Sequence, residues 1–347
     1  MEKRKIALKD IAIMTGLSVN TVSRALRNKE DISEATTQRV KNVAKELGYL
    51  HNALASSLRQ TETKTIAVIV SDISNPYFSW HVSEIEKHAQ AQGYITYMFN
   101  TQENEENELH AIHCALQHRV DGIILTPAQR SSENVEFLLK YDVPFVLMGR
   151  YFVDLQTPCA VWDDRMGGYT AVRKLLELGH RKIFIVHGPQ HVSSARERLQ
   201  GSLDALAEFG ITQEPDMIRE ITTSERECDQ MERLAESLVS GQIDCTGMVV
   251  YNDMNAIRLW NYLEKRGKKV PEDYSIVSFD NVQFYLGEPF RLTSIGGADS
   301  IATQSVDMLI KIIRHRIDPH NSVQATKVVG IKVFEGISCG PAPSKNG

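Results

Sequence analysis

Cysteine is scarce in this 347-residue chain. Cys114, Cys159, Cys228, Cys245 and Cys339 are odd in number and scattered, with no Cys-x-x-Cys pair. That usage argues against a disulfide framework and for free thiols in a reducing compartment. His110 and His113 stand near Cys114, but three loosely grouped residues on a charged helix make surface chemistry rather than a metal site. Long apolar runs are missing too. No stretch reaches the ~18 apolar residues of a membrane span, and the charged N-terminus lacks a signal-peptide core. No membrane partner is expected, and the expected compartment is the cytoplasm. Also absent are Gly-x-Gly-x-x-Gly and Gly-x-x-x-x-Gly-Lys-Ser/Thr. Asp163, Asp164 and Asp280 could serve as acid and base, yet nothing supplies a nucleophile or a cofactor site. No catalytic residue, cofactor or metal is assigned.

What is present is an uneven charge. Residues 1–60 hold 11 Lys and Arg against 6 Asp and Glu, a net of +5; the whole chain is −5, so the remaining 287 residues carry −10. A basic end on an acidic body suits nucleic-acid binding confined to that end. The length predicts two or three domains, and 42% hydrophobic content is ordinary for a globular protein.

Within the basic end, Leu8 to Leu26 reads LKDIAIMTGLSVNTVSRAL. Leu8, Ile11 and Ala12 share one helical face. Gly16 supplies a left-handed terminus, and Ser18 caps a second helix whose apolar face is Val22, Ala25 and Leu26. Asn20, Thr21 and Arg24 point elsewhere, with Asn20 and Arg24 four apart on one surface. Two short helices, a glycine turn and exposed amide, hydroxyl and guanidinium groups describe a helix-turn-helix that reads the major groove. Asn serves adenine and Arg guanine through paired hydrogen bonds. An ordinary helical hairpin is the alternative on these residues alone. A third helix follows, capped by Ser33, with Val40, Val43, Ala44 and Leu47 on one face and Gly48 at its end.

From residue 64 the pattern alternates. Ile66–Val70 is an apolar run of the kind covered on both faces. Strand-like runs recur at Tyr94–Phe99, Gly122–Leu125, Pro144–Met148, Lys182–Val186, Met248–Tyr251 and Tyr274–Phe279, and around Met217–Ile221, with helical stretches between them. Gly93, Gly179, Gly210 and Gly267 stand where helices should stop. The predicted fold is a small all-α helix-turn-helix domain, a hinge, and an α/β core of two parallel-sheet subdomains. Sheets of this kind bind ligands beyond the carboxyl ends of their strands. The expected boundaries are 1–50 for the reader, 51–63 for the hinge and 64–347 for the core. Within the core, 64–161 plus 282–298 are assigned to one subdomain and 162–281 plus 299–340 to the other.

The order DIA…TGLSVNTVSRAL, then A-x-x-L-G-Y, then N-x-x-A-x-x-L closely resembles the lactose/galactose repressor (LacI/GalR) family of transcriptional regulators. The resemblance continues through Val70-Ser-Asp-Ile-Ser-Asn-Pro-Tyr-Phe78, Val120-Asp-Gly-Ile-Ile-Leu-Thr-Pro127, Asp163-Asp-Arg-Met-Gly-Gly168, Tyr251-Asn-Asp253 and Phe279-Asp-Asn281. It implies a core like the periplasmic sugar-binding proteins and an effector cleft between the subdomains. Ligand contacts are expected from Tyr77, Phe78, Thr126 and Arg150 on one side, and from Ser194, Arg198, Asn252, Asp253 and Asp280 on the other. Arg198 and Asp280 have an alternative as an interior ion pair bracing the cleft, and Phe78 as part of a buried stripe. Toward DNA, the expected contacts are Ser18, Asn20, Thr21 and Arg24, together with Asn52 and Leu58 of the hinge. In the family a leucine at the position of Leu58 wedges into the minor groove.

Two departures bear on the ligand: Gly296-Gly297 stands where some relatives place a polar contact, and Thr222–Glu225 lacks a pocket-closing aromatic. The expected function is a DNA-binding regulator, a repressor under the control of a sugar or sugar derivative. A nucleoside- or purine-responsive regulator is the alternative within the family; a transport-type binding protein or an enzyme on the same fold are alternatives outside it. Expected partners are double-stranded DNA with an inverted-repeat operator, a small-molecule effector and a second copy of the chain, since one recognition helix reads only a few base pairs. The Gly-, Pro- and Ser-containing tail after Phe334 carries no heptad pattern, so a dimer is expected, with Trp80 as a candidate interface residue.

Overall fold

The structure, a computed structural model, describes residues 6–29, 31–49, 63–212, 214–222, 225–283, 291–315 and 326–343. It divides into two compact units, 1–63 and 64–347.

Among its described residues the first unit has three helices, α1 (Leu8–Thr15), α2 (Val19–Leu26) and α3 (Glu34–Glu46). Gly16 closes α1 at φ +68°, and the Ser18 hydroxyl accepts from Thr21 N at 3.0 Å to cap α2. Ile11, Val22, Ala25 and Val40 are fully buried where the helices meet. Apolar spacing of three and four residues on each helix produces this small core.

In the second unit, β1 (Thr65–Val70) is followed by α4 (Pro76–Ala91), β2 (Ile95–Asn100), α5 (Glu105–Gln117), β3 (Gly122–Leu125), α6 (Glu133–Lys140), β4 (Phe145–Met148) and β5 (Cys159–Trp162). Then come α7 (Asp164–Glu177), β6 (Ile183–His187), α8 (Ser193–Glu208), β7 (Ile218–Glu220), α9 (Glu227–Val239), β8 (Gly247–Val250), α10 (Asp253–Lys265) and β9 (Ser275–Phe279). The chain ends with β10 (Thr293–Gly297), α11 (Ile301–His315), β11 (Thr326–Val329) and β12 (Ile331–Phe334). One sheet has the order β11-β5-β4-β3-β1-β2, the other β12-β10-β9-β8-β6-β7. Among the described strands every pairing is parallel except β12 against β10. Central strands are buried throughout, which is why they read as unbroken apolar runs.

Three expectations about order along the chain are corrected. The segment 282–298 was assigned to the first subdomain, but β10 pairs with β9 in the second sheet. The segment 299–340 was assigned to the second, but α11 packs Val306 and Leu309 into the first core and β11 pairs with β5. In sequence Val328–Phe334 looks like a single strand-like segment near the end of the chain, yet it divides at Gly330, with β11 in the first sheet and β12 in the second. The physical reason is that the chain crosses between subdomains repeatedly, and sheet membership follows pairing partners that local hydrophobicity does not specify. Strand β5 is a buried apolar run of only four residues, Cys159–Trp162, too short to stand out as a strand in the sequence.

Candidate functional site

The carboxyl ends of the strands in the two sheets open onto a cleft of about 150 Å³. From the first sheet, β1 leads through Asn75, which caps α4 by accepting from Tyr77 N at 3.0 Å, and this places Tyr77 and Phe78 at the rim. Tyr77 meets Phe78 edge-on at 4.9 Å and Trp162 at 5.5 Å between ring centroids. Thr126 follows β3, with its buried hydroxyl lacking a hydrogen-bond partner. Arg150, just beyond β4, forms a two-pronged pair with Glu103 at 2.8 and 2.6 Å and donates to Pro127 O at 2.7 Å. Burial works against this charge, but Glu103 more than offsets it and holds the guanidinium above its usual range.

From the second sheet, Arg198 on α8 is the centre. Its Nε donates to Asp164 at 2.8 Å, Nη1 to Tyr251 O at 3.0 Å and Nη2 to Asp280 at 3.2 Å, while the Phe279 ring lies 4.5 Å beneath it. One hydrogen on each terminal nitrogen is left for a ligand. Burial pushes the Asp164 carboxyl up to about 6 despite the neighbouring guanidinium, because Asp280 is also near and one cation serves both. Burial shifts Asp280 upward as well, against the pull of Arg198. The placement of Arg198 depends on a close helix crossing. A Cβ on Gly168 of α7 would collide with the Arg198 carbonyl, and one on Gly201 of α8 would collide with that of Arg165.

Of the expected cleft residues, Tyr77, Phe78, Thr126, Arg150, Ser194, Arg198, Asn252 and Asp280 line it together. Asp253 does not. Its side chain is fully buried, accepting from Val282 N at 2.7 Å, from Ser294 Oγ at 2.8 Å and from Ser278 Oγ, so it ties α10 to β9 and β10. The physical reason is its place at the first position of α10, where it turns into the sheet while Asn252, the cap, faces the cleft. Burial pushes this carboxyl up to about 7. Sequence reasoning missed Asp72, Glu103, Trp162, Glu227 and Tyr251 as lining residues. Trp162 ends β5 and Tyr251 follows β8, so the strand-end rule points to Tyr251 and would have pointed to Trp162 had β5 been recognised. Glu103 and Glu227 carried no signal, since their approach depends on the tertiary fold.

In the reader, Ser18, Asn20 and Arg24 are exposed and Thr21 is half-buried. Arg24 is paired with Asp31 at 2.5 Å. Asn52 and Leu58 lie outside the described residues. Among those described, no group of three or more His, Cys, Asp or Glu side chains is arranged to hold a metal, and no helix is long and apolar enough to cross a membrane.

Residues 63–334 match the family model described as periplasmic binding proteins and sugar binding domain of the LacI family, and residues 7–52 match that of bacterial regulatory proteins, lacI family. The HTH-type transcriptional regulator GalR of Escherichia coli (strain K12) is 31% identical over 310 residues, 89% of this chain and 90% of that protein. Among solved structures, the lac repressor dimer bound to operator and the anti-inducer ONPF aligns with a TM-score of 0.82 at 24% identity, covering 96% of this chain and 99% of that one. At that identity it shows the fold. A LacI family transcriptional regulator from Enterococcus faecium with bound ribose aligns with a TM-score of 0.68 at 27% identity, covering 80% of this chain and 99% of that one.

Proposed function

This chain belongs to the LacI family of bacterial regulatory proteins, and we propose that the effector controlling its binding to DNA is a neutral, hydroxyl-rich molecule of the sugar class. It is a DNA-binding transcriptional regulator under small-molecule control rather than an enzyme. The observation that carries the choice of ligand is the charge of the cleft. Five carboxylates, of Asp72, Glu103, Asp164, Glu227 and Asp280, face it against the guanidiniums of Arg150 and Arg198, both already paired. A phosphorylated sugar would meet net negative charge there. A neutral sugar would offer hydroxyls to Arg198 and Asp280 and its apolar face to the rings of Tyr77 and Trp162. The ribose bound by the Enterococcus faecium relative is in keeping with this.

In this reading Asn20, Thr21 and Arg24 read base edges of one half-site, Ser18 holds the start of the recognition helix, and Asn52 and Leu58 act at the hinge. The chain works in the cytoplasm as a dimer on an inverted repeat. Edge strand β2 offers a face for the second copy, with Ile95 66% and Tyr97 42% exposed on the same side. Sugar in the cleft alters the angle between subdomains, and with it the population competent for operator; release is the expected direction for a repressor.

The test is a thermal-shift series on the full chain with D-ribose, D-galactose, ribose 5-phosphate and adenosine. A ligand at 100 times its dissociation constant adds about 2.7 kcal/mol. Stabilisation by a neutral sugar, with loss of operator affinity, is expected. Stabilisation by the phosphate or the nucleoside alone would sink the ligand assignment.

A further inference from the structure

A second chamber of about 200 Å³ shares Trp162 with the cleft but is otherwise lined by different residues. The rings of Tyr77, His81 and Trp162 stand between the two. Tyr77 meets His81 edge-on at 4.5 Å and Trp162 at 5.5 Å, and His81 lies 6.0 Å from Trp162. Tyr77 belongs to the cleft and His81 to the chamber.

Three lining side chains are more than nine-tenths buried and unsatisfied. His81 is 2%, Trp162 7% and Asn281 4% exposed, yet both His81 nitrogens, Trp162 Nε1 and Asn281 Oδ1 have no hydrogen-bond partner. Gly297 is part of the reason that the indole edge is bare: a Cβ there would collide with Trp162 Nε1. Groups buried in this way destabilise a protein until something pairs them. Burial pushes the His81 imidazole down to about 4, so at neutral pH it carries one donor and one acceptor. With the indole N–H and the amide oxygen, the orphans come to two donors and two acceptors.

We propose that this chamber is a second ligand site, separate from the cleft, for a small neutral polyol. Hydroxyl groups both give and accept, which matches that balanced set. Glu84 and Asp299 line the chamber, and among the described lining residues there is no Lys or Arg, though Lys332 sits over the Phe334 ring at 5.4 Å; phosphates and carboxylates are therefore disfavoured. Trp80 and Phe334 supply apolar faces for the carbon chain. A water occupies ~30 Å³ of liquid, so the chamber has room for several waters or one short polyol. Its walls come from α4 in the first subdomain and from β10 and β12 in the second, so occupancy is linked to the angle between them.

The test follows the indole N–H resonances of the full chain during titration with ribitol, with nuclear Overhauser contacts from ribitol to the Trp80 ring. Saturable shifts of Trp80 and Trp162 with such contacts are expected. They should persist in Asp280→Asn, which damages the cleft alone, and weaken at least tenfold in His81→Phe. Shifts lost in Asp280→Asn but kept in His81→Phe would place the ligand in the cleft, overturning the second site while leaving the cleft reading intact. Linear drift without saturation would mean that only water fills the chamber. Should His81→Phe fail to fold, the Trp80 contacts in the unaltered chain decide the matter.

Discussion

Arg198 and Asp164 are joined by a 2.8 Å bond from Nε to Oδ1, with each side chain only 9% exposed. They come from helices α8 and α7, which cross on glycine, so the pair records helix packing as well as ligand chemistry. The guanidinium therefore braces the cleft, and in the function proposed above it is also the donor that a sugar hydroxyl meets. Replacing it by Ala leaves Asp164 and Asp280 buried beside no cation, and a loss of about 3–5 kcal/mol is expected from urea unfolding. Arg198→Lys keeps the charge without the fork. That variant should fold and bind operator but respond to effector at least tenfold more weakly, as read by DNA-binding titration with and without sugar.

The crossing itself is open to test. Gly168→Ala sets a methyl against the Arg198 carbonyl, so α7 and α8 must part. The expected cost is about 1–3 kcal/mol or more, with a weakened effector response because Arg198 moves with its backbone. An unchanged melting temperature would show that the crossing relaxes freely.

Stability of the ligand-free core should depend on pH in an unusual direction. Asp164 and Asp253 are pushed up to about 6 and about 7, from an unfolded value near 3.8. Between those values the folded state binds more protons than the unfolded state, so stability falls as pH rises. His81, held down to about 4, works the other way below its unfolded value of 6.5, so the melting temperature should fall as pH rises from about 6.5 to 8, and Asp253→Asn should flatten that slope. A melting temperature that rises steadily from pH 5 to 8 would contradict the burial of these carboxyls.

For the reader, Arg24→Ala should lower discrimination at one base pair of each half-site by roughly 10- to 100-fold. Competition between the preferred operator and single-base variants measures it. Equal loss on operator and on scrambled DNA would make Arg24 a phosphate contact. Asp31→Ala, which frees Arg24 from its pair, should leave the base preference unchanged.

Several features were decided by the order of residues alone. Gly16 and Ser18 mark the turn between α1 and α2 because a left-handed terminus and a hydroxyl cap are local demands. The runs Ile66–Val70 and Gly122–Leu125 announce buried parallel strands because both faces of each strand are covered. Eight of the nine expected cleft residues line the cleft, most of them just past a strand end or in the first turn of a helix. Only the folded chain could decide the rest. Glu103 reaches Arg150 across 47 positions, Asp253 turns inward to two serines at positions 278 and 294, and Gly330 sends β11 and β12 to different sheets. Each depends on which distant segments pair. Period and capping carry information over one turn or one strand, whereas the contacts that make this cleft arise from crossovers whose partners no local pattern names.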